Sequence, residues 1–550
     1  MRTPKFSQLL RIPSLVLMFA ACCTAHADIA DSVYTNGRFY TVNQEQPWAE
    51  SVAIKNGRFV FVGNEQETQA YIGAATEVVD LRDAMVMPGI HDAHTHMLWA
   101  GLHLNYGCRF ENEKTVGTII AVLQECAREL AEDDWLVAGL FYYNFFPNEK
   151  PHKSHLDVAF PNRPVYLREG SFHHALLNSK ALEIAGIDEH TKAPFGGEIV
   201  KDANGELTGE LIETATILAT PYLPKESAER NLDAVRWAVR KNNENGITSA
   251  QDASGTTEML VAFNALERSQ EMTMNLAAHL IWRSPQFGDA SDEQLERLIE
   301  NRSRYQTEHL KVDFIKVWID GSPTAPYFTQ ADVLSGGQIE LDRMLIPTDE
   351  LNAALVRFDS MGMKTKLHVA GAGATRAALN AIEVARKANP NSLVIHELGH
   401  TNLVTPSDLL RFRQLNAVAE MSPSVWHLYG RFLGDPPQAA WEFGTLHRSG
   451  AMMTIGTDWV VTPTPNLFPA LQGMLNRGDE SLDLSSALKM MTLNGAISVG
   501  WEKTHGSIET GKMANFIVLD RNLFQIPTTD IGDTQVLRTI FEGRTVFIVE

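Results

Sequence analysis

His94 and His96, two residues apart at the end of Val86-Met-Pro-Gly-Ile-His-Asp-Ala-His-Thr-His96, have the spacing that implies chemistry most directly. In extended backbone the side chains of residues i and i+2 point to the same side. Both imidazoles therefore reach one ion from the end of a single strand, and a divalent metal such as zinc takes imidazole nitrogen readily. Two solvated loop histidines give the same bare pattern. Here the preceding apolar run, the Pro88-Gly89 stop and Asp92 favour a ligand pair. Further ligand-type side chains lie in or beside apolar runs far along the chain: Asp252, Lys316, His368, His396, His400 and Asp458.

The elements that must position these residues alternate apolar, β-branched runs with longer helical patterns, the signature of parallel β/α units. Candidate strands are Ala84–Ile90, Ile247–Gln251, Leu276–Trp282, Val312–Ile319, Thr365–Val369, Leu393–His396, Ala417–Glu420 and Met452–Ile455. Eight such strands predict an α/β fold, a (β/α)8 TIM-like barrel, whose reacting groups sit at the C-terminal strand ends. The candidate ligands fall at that rim, a concentration not expected from a random scatter of 18 histidines. Residues 101–245 far exceed the usual connection length in α/β units and predict an inserted lid subdomain. Asp134–Gly139 and Pro164–Glu169 read as its own strands, and Tyr166 to Leu182 is its most informative stretch.

Both ends of the chain read as short strands with turns at Asn36-Gly37, Asn56-Gly57 and Glu542-Gly543. They predict one small β-sandwich, residues 28–83 with 501–550, flanking a barrel over 84–500. Residues 1–27 read as a cleaved secretory signal, with Arg2, Lys5 and Arg11 before an apolar run and Ala25-His26-Ala27 as the cleavage site. This predicts a periplasmic or secreted protein, with acylation at Cys22 the lesser alternative. No other stretch reaches the length of a membrane span. Cleavage removes three positive residues and takes the formal charge from −20 to −23, which argues against nucleic acid as a partner. A small-molecule substrate is expected, and homo-oligomers are left open. Cys108 and Cys126 are two thiols that an oxidising compartment would allow to pair; the sequence does not test the geometry.

Taken together, these motifs resemble the amidohydrolase superfamily, whose first strand carries Pro-Gly-x-x-Asp-x-His-x-His, and within it the YtcJ-like branch that includes N-substituted formamide deformylase. His173-x-x-x-x-Asn178-Ser179-x-Ala181-Leu182, Leu207 to Glu213, Gly246 to Asp252, Lys316 to Gly321 and Met491 to Asn494 carry the branch resemblance, which runs from about residue 30 to 545. The C-terminal Gly506-Ser-x-x-x-Gly-Lys-x-Ala-Asn515-Phe also matches, with Asn515 in place of the usual Asp. Two other departures stand out. Ala372 replaces the Asp of His-x-x-Gly-Asp, and Gly399 replaces the Glu of His-Arg-Ile-Glu-His. The metal histidine of each motif, His368 and His400, survives, so the departures bear on substrate specificity more than on metal binding.

The resemblance implies that His94 and His96 bind one metal, that His368 and His400 bind a second, and that Asp458 bridges towards the first and handles the proton. Lys316 is the candidate carboxylated lysine bridging two Zn2+ ions; a buried lysine paired with Asp320 or Asp252, with a single metal, is the alternative. His396 fits a core or supporting role. His173 either polarises the scissile carbonyl or hydrogen-bonds within the lid, and His174 beside it is expected to be structural. Asn178, Glu213 and Trp318 are candidate substrate contacts, Glu213 against the plainer reading of an exposed helix carboxylate. Trp99, Trp318, Trp426 and Trp459 near strand ends suggest an aromatic pocket or packing under the insert. Metal-bound water loses its proton near neutral pH, so the expected reaction is hydroxide attack on a C–N, amide-type bond other than a peptide, with Asp458 as general acid/base. The same ligands would serve an esterase, lactonase or carbamate hydrolase. A periplasmic binding or regulatory protein without activity is the alternative from another class.

Overall fold

The computed structural model describes residue 1 and residues 29–110, 115–146, 150–283, 288, 290–425 and 440–549. Residues 2–27 of the expected signal, with Cys22, and the expected pocket residue Trp426 lie outside the described residues. Eight parallel strands form the central sheet in sequence order: β1 Ile90–Thr95, β2 Ile247–Gly255, β3 Asn275–Ile281, β4 Leu310–Trp318, β5 Lys364–His368, β6 Glu397–Gly399, β7 Val418–Met421 and β8 Met452–Ile455. Helices such as Thr257–Arg268, Thr348–Ser360 and Ala372–Ala388 bury apolar faces against it, as β/α alternation requires. The sheet is closed by the turn after β8. Thr95 bridges Trp459, the Asp458 amide donates to the His94 carbonyl at 2.8 Å, and the His96 amide donates to the Trp459 carbonyl at 2.7 Å.

Two of the expected barrel strands need correction. Ala84 to Pro88 belongs to Glu77–Pro88, which pairs in parallel with Ser32–Tyr40 and antiparallel with Phe516–Leu519 in the terminal sheet. The barrel starts after it. Pro88 lacks an amide hydrogen, and a Cβ at Gly89 would come within 2.1 Å of Thr248 Oγ1. The Pro-Gly pair therefore ends one sheet and passes the chain into the next. Leu393–His396 is not a strand either; Leu393 is 91% exposed, so its apolar character goes unused, and pairing begins only at Glu397.

The two chain ends meet in one eight-stranded sheet, in which Phe516–Leu519 links Glu77–Pro88 to Val536–Phe541 and Arg544–Ile548. Phe39, Phe59, Phe516 and Ile540 pack in its core. The insert is a six-stranded sheet between Cys108 and Glu213, including Leu136–Phe141 and Val165–Glu169. Its expected end at 245 is too late: Ala228–Glu244 buries Ala234, Val235, Ala238 and Val239 in the barrel core, so it is a barrel helix. No helix among the described residues is long and apolar enough to cross a membrane.

Cys108 and Cys126 form a disulfide that joins the first insert strand to helix Val116–Ala127 across 18 residues. Closing a loop of that length stabilises by about 3 kcal/mol in the chain-entropy picture. We expect Cys126→Ser to lower the melting temperature, and dithiothreitol to lower that of the native protein but not of the variant; differential scanning fluorimetry with and without the reductant checks this.

Candidate active site

The floor of the site is a set of carboxylates buried inside the barrel. Asp92, on β1, accepts from the Thr457 hydroxyl at 2.6 Å, the Thr457 amide at 2.9 Å and the His94 amide at 3.1 Å. Burial pushes its carboxyl up to about 7 despite these donors. Asp252, on β2, accepts from the Met97 amide at 2.7 Å and from both donors of Ser254, fixing the backbone just past His96. Deeper down, Glu397 takes Lys364 Nζ at 2.7 Å and the Thr454 hydroxyl at 2.8 Å. Burial opposes its charge, but Lys364 and Lys366 outweigh it and hold the carboxyl down to about 2.

Above this floor the expected ligands converge. His96 Nε2 lies 3.2 Å from Asp458 Oδ1, and His94 Nε2 lies 3.8 Å from the same oxygen and 3.2 Å from Lys316 Nζ. The His400 ring stands 4.4 Å from that of His94 and 4.7 Å from that of His368. Burial, with Lys316 among the secondary causes, holds His94, His368 and His400 well below the usual imidazole range, so all three are neutral bases. His94 Nδ1 pairs with Glu420 Oε2 at 2.7 Å, which leaves Nε2 facing Lys316 and Asp458. His368 Nε2 pairs with the Gly321 carbonyl at 3.2 Å, so its proton sits there; Nδ1 is buried with no partner among the described residues. His400 and Asp458 both have positive φ, +69° and +53°. Such conformations cost of order 1–3 kcal/mol each and persist because the surrounding bonds fix them.

Lys316 is fully buried in the middle of the rim. Burial first, and Lys366 second, push its amine down to about 7. Neither expected carboxylate partner serves it. Asp320 accepts from the amides of Ala331, Ala370 and Gly371, and Asp252 is engaged as above. Instead the ammonium position lies 4.7 Å over the Trp318 ring.

The cleft above these groups is open to solvent and is lined by His96, Phe172, His173, Lys316, Trp318, His368, His400, Asn402, Trp441 and Asp458 among others. Of the expected substrate contacts, Trp318 faces it. Asn178 does not: its carbonyl caps helix Ser179–Ala185 and takes the Val165 amide, while its amide group donates to Phe160 and Arg163 carbonyls. Asn-Ser before an apolar run is a helix N-cap signal, and that is the work it does. Glu213 is neither an exposed helix residue nor a cleft residue. It ends strand Leu207–Glu213, is 1% exposed, and holds His173 Nδ1 at 2.7 Å. His174 is buried against Tyr143, and His396 pairs with Asp359 at 3.0 Å in the core. Trp99 packs with His103 and Phe172 beneath the insert, and Trp459 stacks on Trp237.

Glu420 and Trp441 were missed. Glu420 ends a candidate strand in the position where a rim ligand belongs, and that register was the available signal; Trp441 carried none. A Cβ at Gly399 would make only ordinary contacts, 3.4 Å from His94 Cε1 and 3.5 Å from Glu420 Oε2.

The profile described as "Amidohydrolase family" matches residues 77–547. Similar relatives include the N-substituted formamide deformylase of Arthrobacter pascens, 26% identical over 93% of this chain and 97% of its own. A Bacillus subtilis (strain 168) protein named as the amidohydrolase YtcJ is 27% identical over 94% of this chain and 99% of its own. A metal-dependent hydrolase of Pyrococcus horikoshii OT3 superposes with a TM-score of 0.69 at 20% identity, covering 90% and 99% of the two chains.

A carboxylate that accepts a ligating histidine's second N–H sets its tautomer and basicity, and losing it commonly costs 10–100-fold in metal affinity. Glu420→Gln is therefore expected to weaken divalent-metal binding about 10–100-fold, read by equilibrium dialysis with metal analysis; unchanged affinity would show that the Glu420–His94 pair has only a packing role.

Proposed function

The chain belongs to the amidohydrolase family, and from that premise we propose that it is a metal-dependent hydrolase cleaving an amide-type C–N bond, other than a peptide bond, in a small organic substrate. The observation that carries the reading is the convergence of His94, His96, His368, His400 and Asp458, from four strand ends and more than 350 residues of chain, on one buried amine, Lys316.

The donors fit two divalent ions, for which Zn2+ is our assignment. Neutral imidazoles and a carboxylate are the ligand set that zinc takes. His94, His96 and Asp458 offer ligand atoms within 4.8 Å of one another. The unpartnered His368 Nδ1 and the neighbouring His400 ring supply a second group. Two cations held side by side would need a shared anion. Lys316, whose amine burial pushes down to about 7, would offer its deprotonated nitrogen to carbon dioxide and lose one proton to give a carbamate there. Bound ions of this kind polarise a carbonyl and bring the pKa of water to about 7.

The chain's own groups do the rest. Asp458, beside His96 and open to the cleft, takes a proton from the attacking water. The water oxygen bonds to the carbonyl carbon, the C–N bond breaks with its electron pair left on nitrogen, and the proton held by Asp458 passes to that nitrogen. Phe172, Trp318, Val425, Trp441 and Val461 give the cleft apolar walls suited to an apolar substituent. With the similarity to N-substituted formamide deformylase, this supports an N-formyl or N-acyl amine as substrate. The Cys108–Cys126 disulfide supports an oxidising compartment, periplasmic or secreted.

The test is purified protein with its metal content measured, assayed on N-formyl and N-acyl amines beside esters and lactones. Chelation is expected to abolish turnover and Zn2+ to restore it. Asp458→Asn should lower kcat by at least about 10³-fold with the melting temperature unchanged; retained activity would remove its proton role. In protein equilibrated with 13C-bicarbonate, a carbamate resonance is expected in the wild type and absent from Lys316→Ala. Turnover confined to esters would replace the amide assignment.

A further inference from the structure

One wall of the site comes from the insert rather than the barrel. His173 faces the cleft with its ring 5.2 Å from that of His368, and its Nδ1 is taken by Glu213 Oε2 at 2.7 Å. Nε2 is the nitrogen left for the cleft. The pair is locked a second time, since the Glu213 amide donates to the His173 carbonyl at 2.7 Å. On either side the backbone is held in left-handed conformations, Phe172 at φ +69° and Glu213 at φ +52°. Strain of that kind persists only where surrounding contacts over-determine it.

Those contacts come from the barrel. The other Glu213 oxygen accepts from the Thr329 hydroxyl and from the Ser322 amide at 3.3 Å, both in the loop that follows β4. Gly321 leaves room for this carboxylate: a Cβ there would stand 2.2 Å from Glu213 Oε1 and 2.3 Å from Thr329 Oγ1. The Gly321 carbonyl is also the partner of His368 Nε2. One short chain of contacts thus runs from His173 through Glu213 and the 321–329 loop to His368. It sets the distance between an insert side chain and the barrel rim.

We propose that His173 is a catalytic residue of this site, donating a hydrogen bond from Nε2 to the substrate carbonyl oxygen as negative charge develops on it, and that Glu213 and Gly321 are positioning residues that aim it. The inference rests on the hydrolase reading above. With Nδ1–H given to the Glu213 carboxylate, Nε2 donates when the ring carries both protons, and a carboxylate behind the ring supports that positive charge, as a donor to a forming oxyanion requires. A tie between lid and barrel would explain the Glu213 bonds to the 321–329 loop. It would not require an imidazole edge open to the cleft opposite Asp458.

The test uses full-length, metal-loaded protein and the best substrate from the amide panel, with His173→Gln, His173→Ala, Glu213→Gln and Gly321→Ala. His173→Gln is expected to lower kcat about 10²–10³-fold, with KM within about threefold of wild type and with metal content and melting temperature unchanged. Added imidazole should restore part of the kcat lost in His173→Ala and none of that lost in Asp458→Asn. Glu213→Gln and Gly321→Ala should each lower kcat, and neither should lower it further once His173 is Ala, because residues acting as one unit are not additive. A His173→Gln variant within threefold of wild-type kcat overturns the proposal. So does a loss that follows missing metal or melting, which would make the contact chain a structural tie. If wild type turns over nothing, the hydrolase reading falls and this proposal with it; turnover in the wild type with His173 dispensable removes this proposal alone.

Discussion

The site depends on how the barrel closes. The last strand meets the first through a turn rather than through a full ladder, and Asp92 makes that turn rigid by accepting from both the amide and the hydroxyl of Thr457. The same carboxylate accepts the His94 amide, and the neighbouring backbone bonds tie Asp458 to His94 and His96 to Trp459. One buried carboxylate thereby sets the relative positions of two imidazoles and an acid whose sequence numbers differ by more than 350. A buried carboxylate is expensive unless its lone pairs are filled; here three donors fill them, and the arrangement they fix is the one the chemistry needs.

A second constraint is the dry interior beneath that rim. Lys364 and Lys366 both pair with Glu397 inside the barrel, and Lys366 also reaches the Ala93 carbonyl, one residue before His94. A low-dielectric surround favours neutral imidazoles and lowers the pKa of the Lys316 amine. It also strengthens any interaction with a cation placed among them. The positive φ values at His400 and Asp458 belong to the same picture, local strain held by a floor of satisfied polar groups.

Much of this was legible in the chain. The β/α alternation, six of the eight strand positions, the insert and the convergence of His94, His96, Lys316, His368, His400 and Asp458 at one rim follow from periodicity and from strand ends. The family resemblance assigned roles to those residues. What the sequence hid was of two kinds. Where an apolar run spans two sheets, as Ala84 to Ile90 does, periodicity gives a strand but not its partner. Where a polar residue serves backbone rather than substrate, as Asn178 does, the motif records a helix cap that reads equally well as a binding residue. Glu213 and Glu420 differ again. Each acts through a histidine distant in sequence, and one chain without its fold offers no pairing signal of that range.

The sheet built from both ends of the molecule has a consequence for biosynthesis. Glu77–Pro88 gains one neighbour from residues 32–40 at once, but its other edge waits for Phe516–Leu519, more than 400 residues later. An open strand edge is a template for pairing with foreign chains, and contacts this distant form slowly. A nascent polypeptide keeps that edge uncovered until the ribosome has almost finished. Loss of the final thirty-five residues would leave the molecule permanently adhesive there, whatever the condition of its barrel.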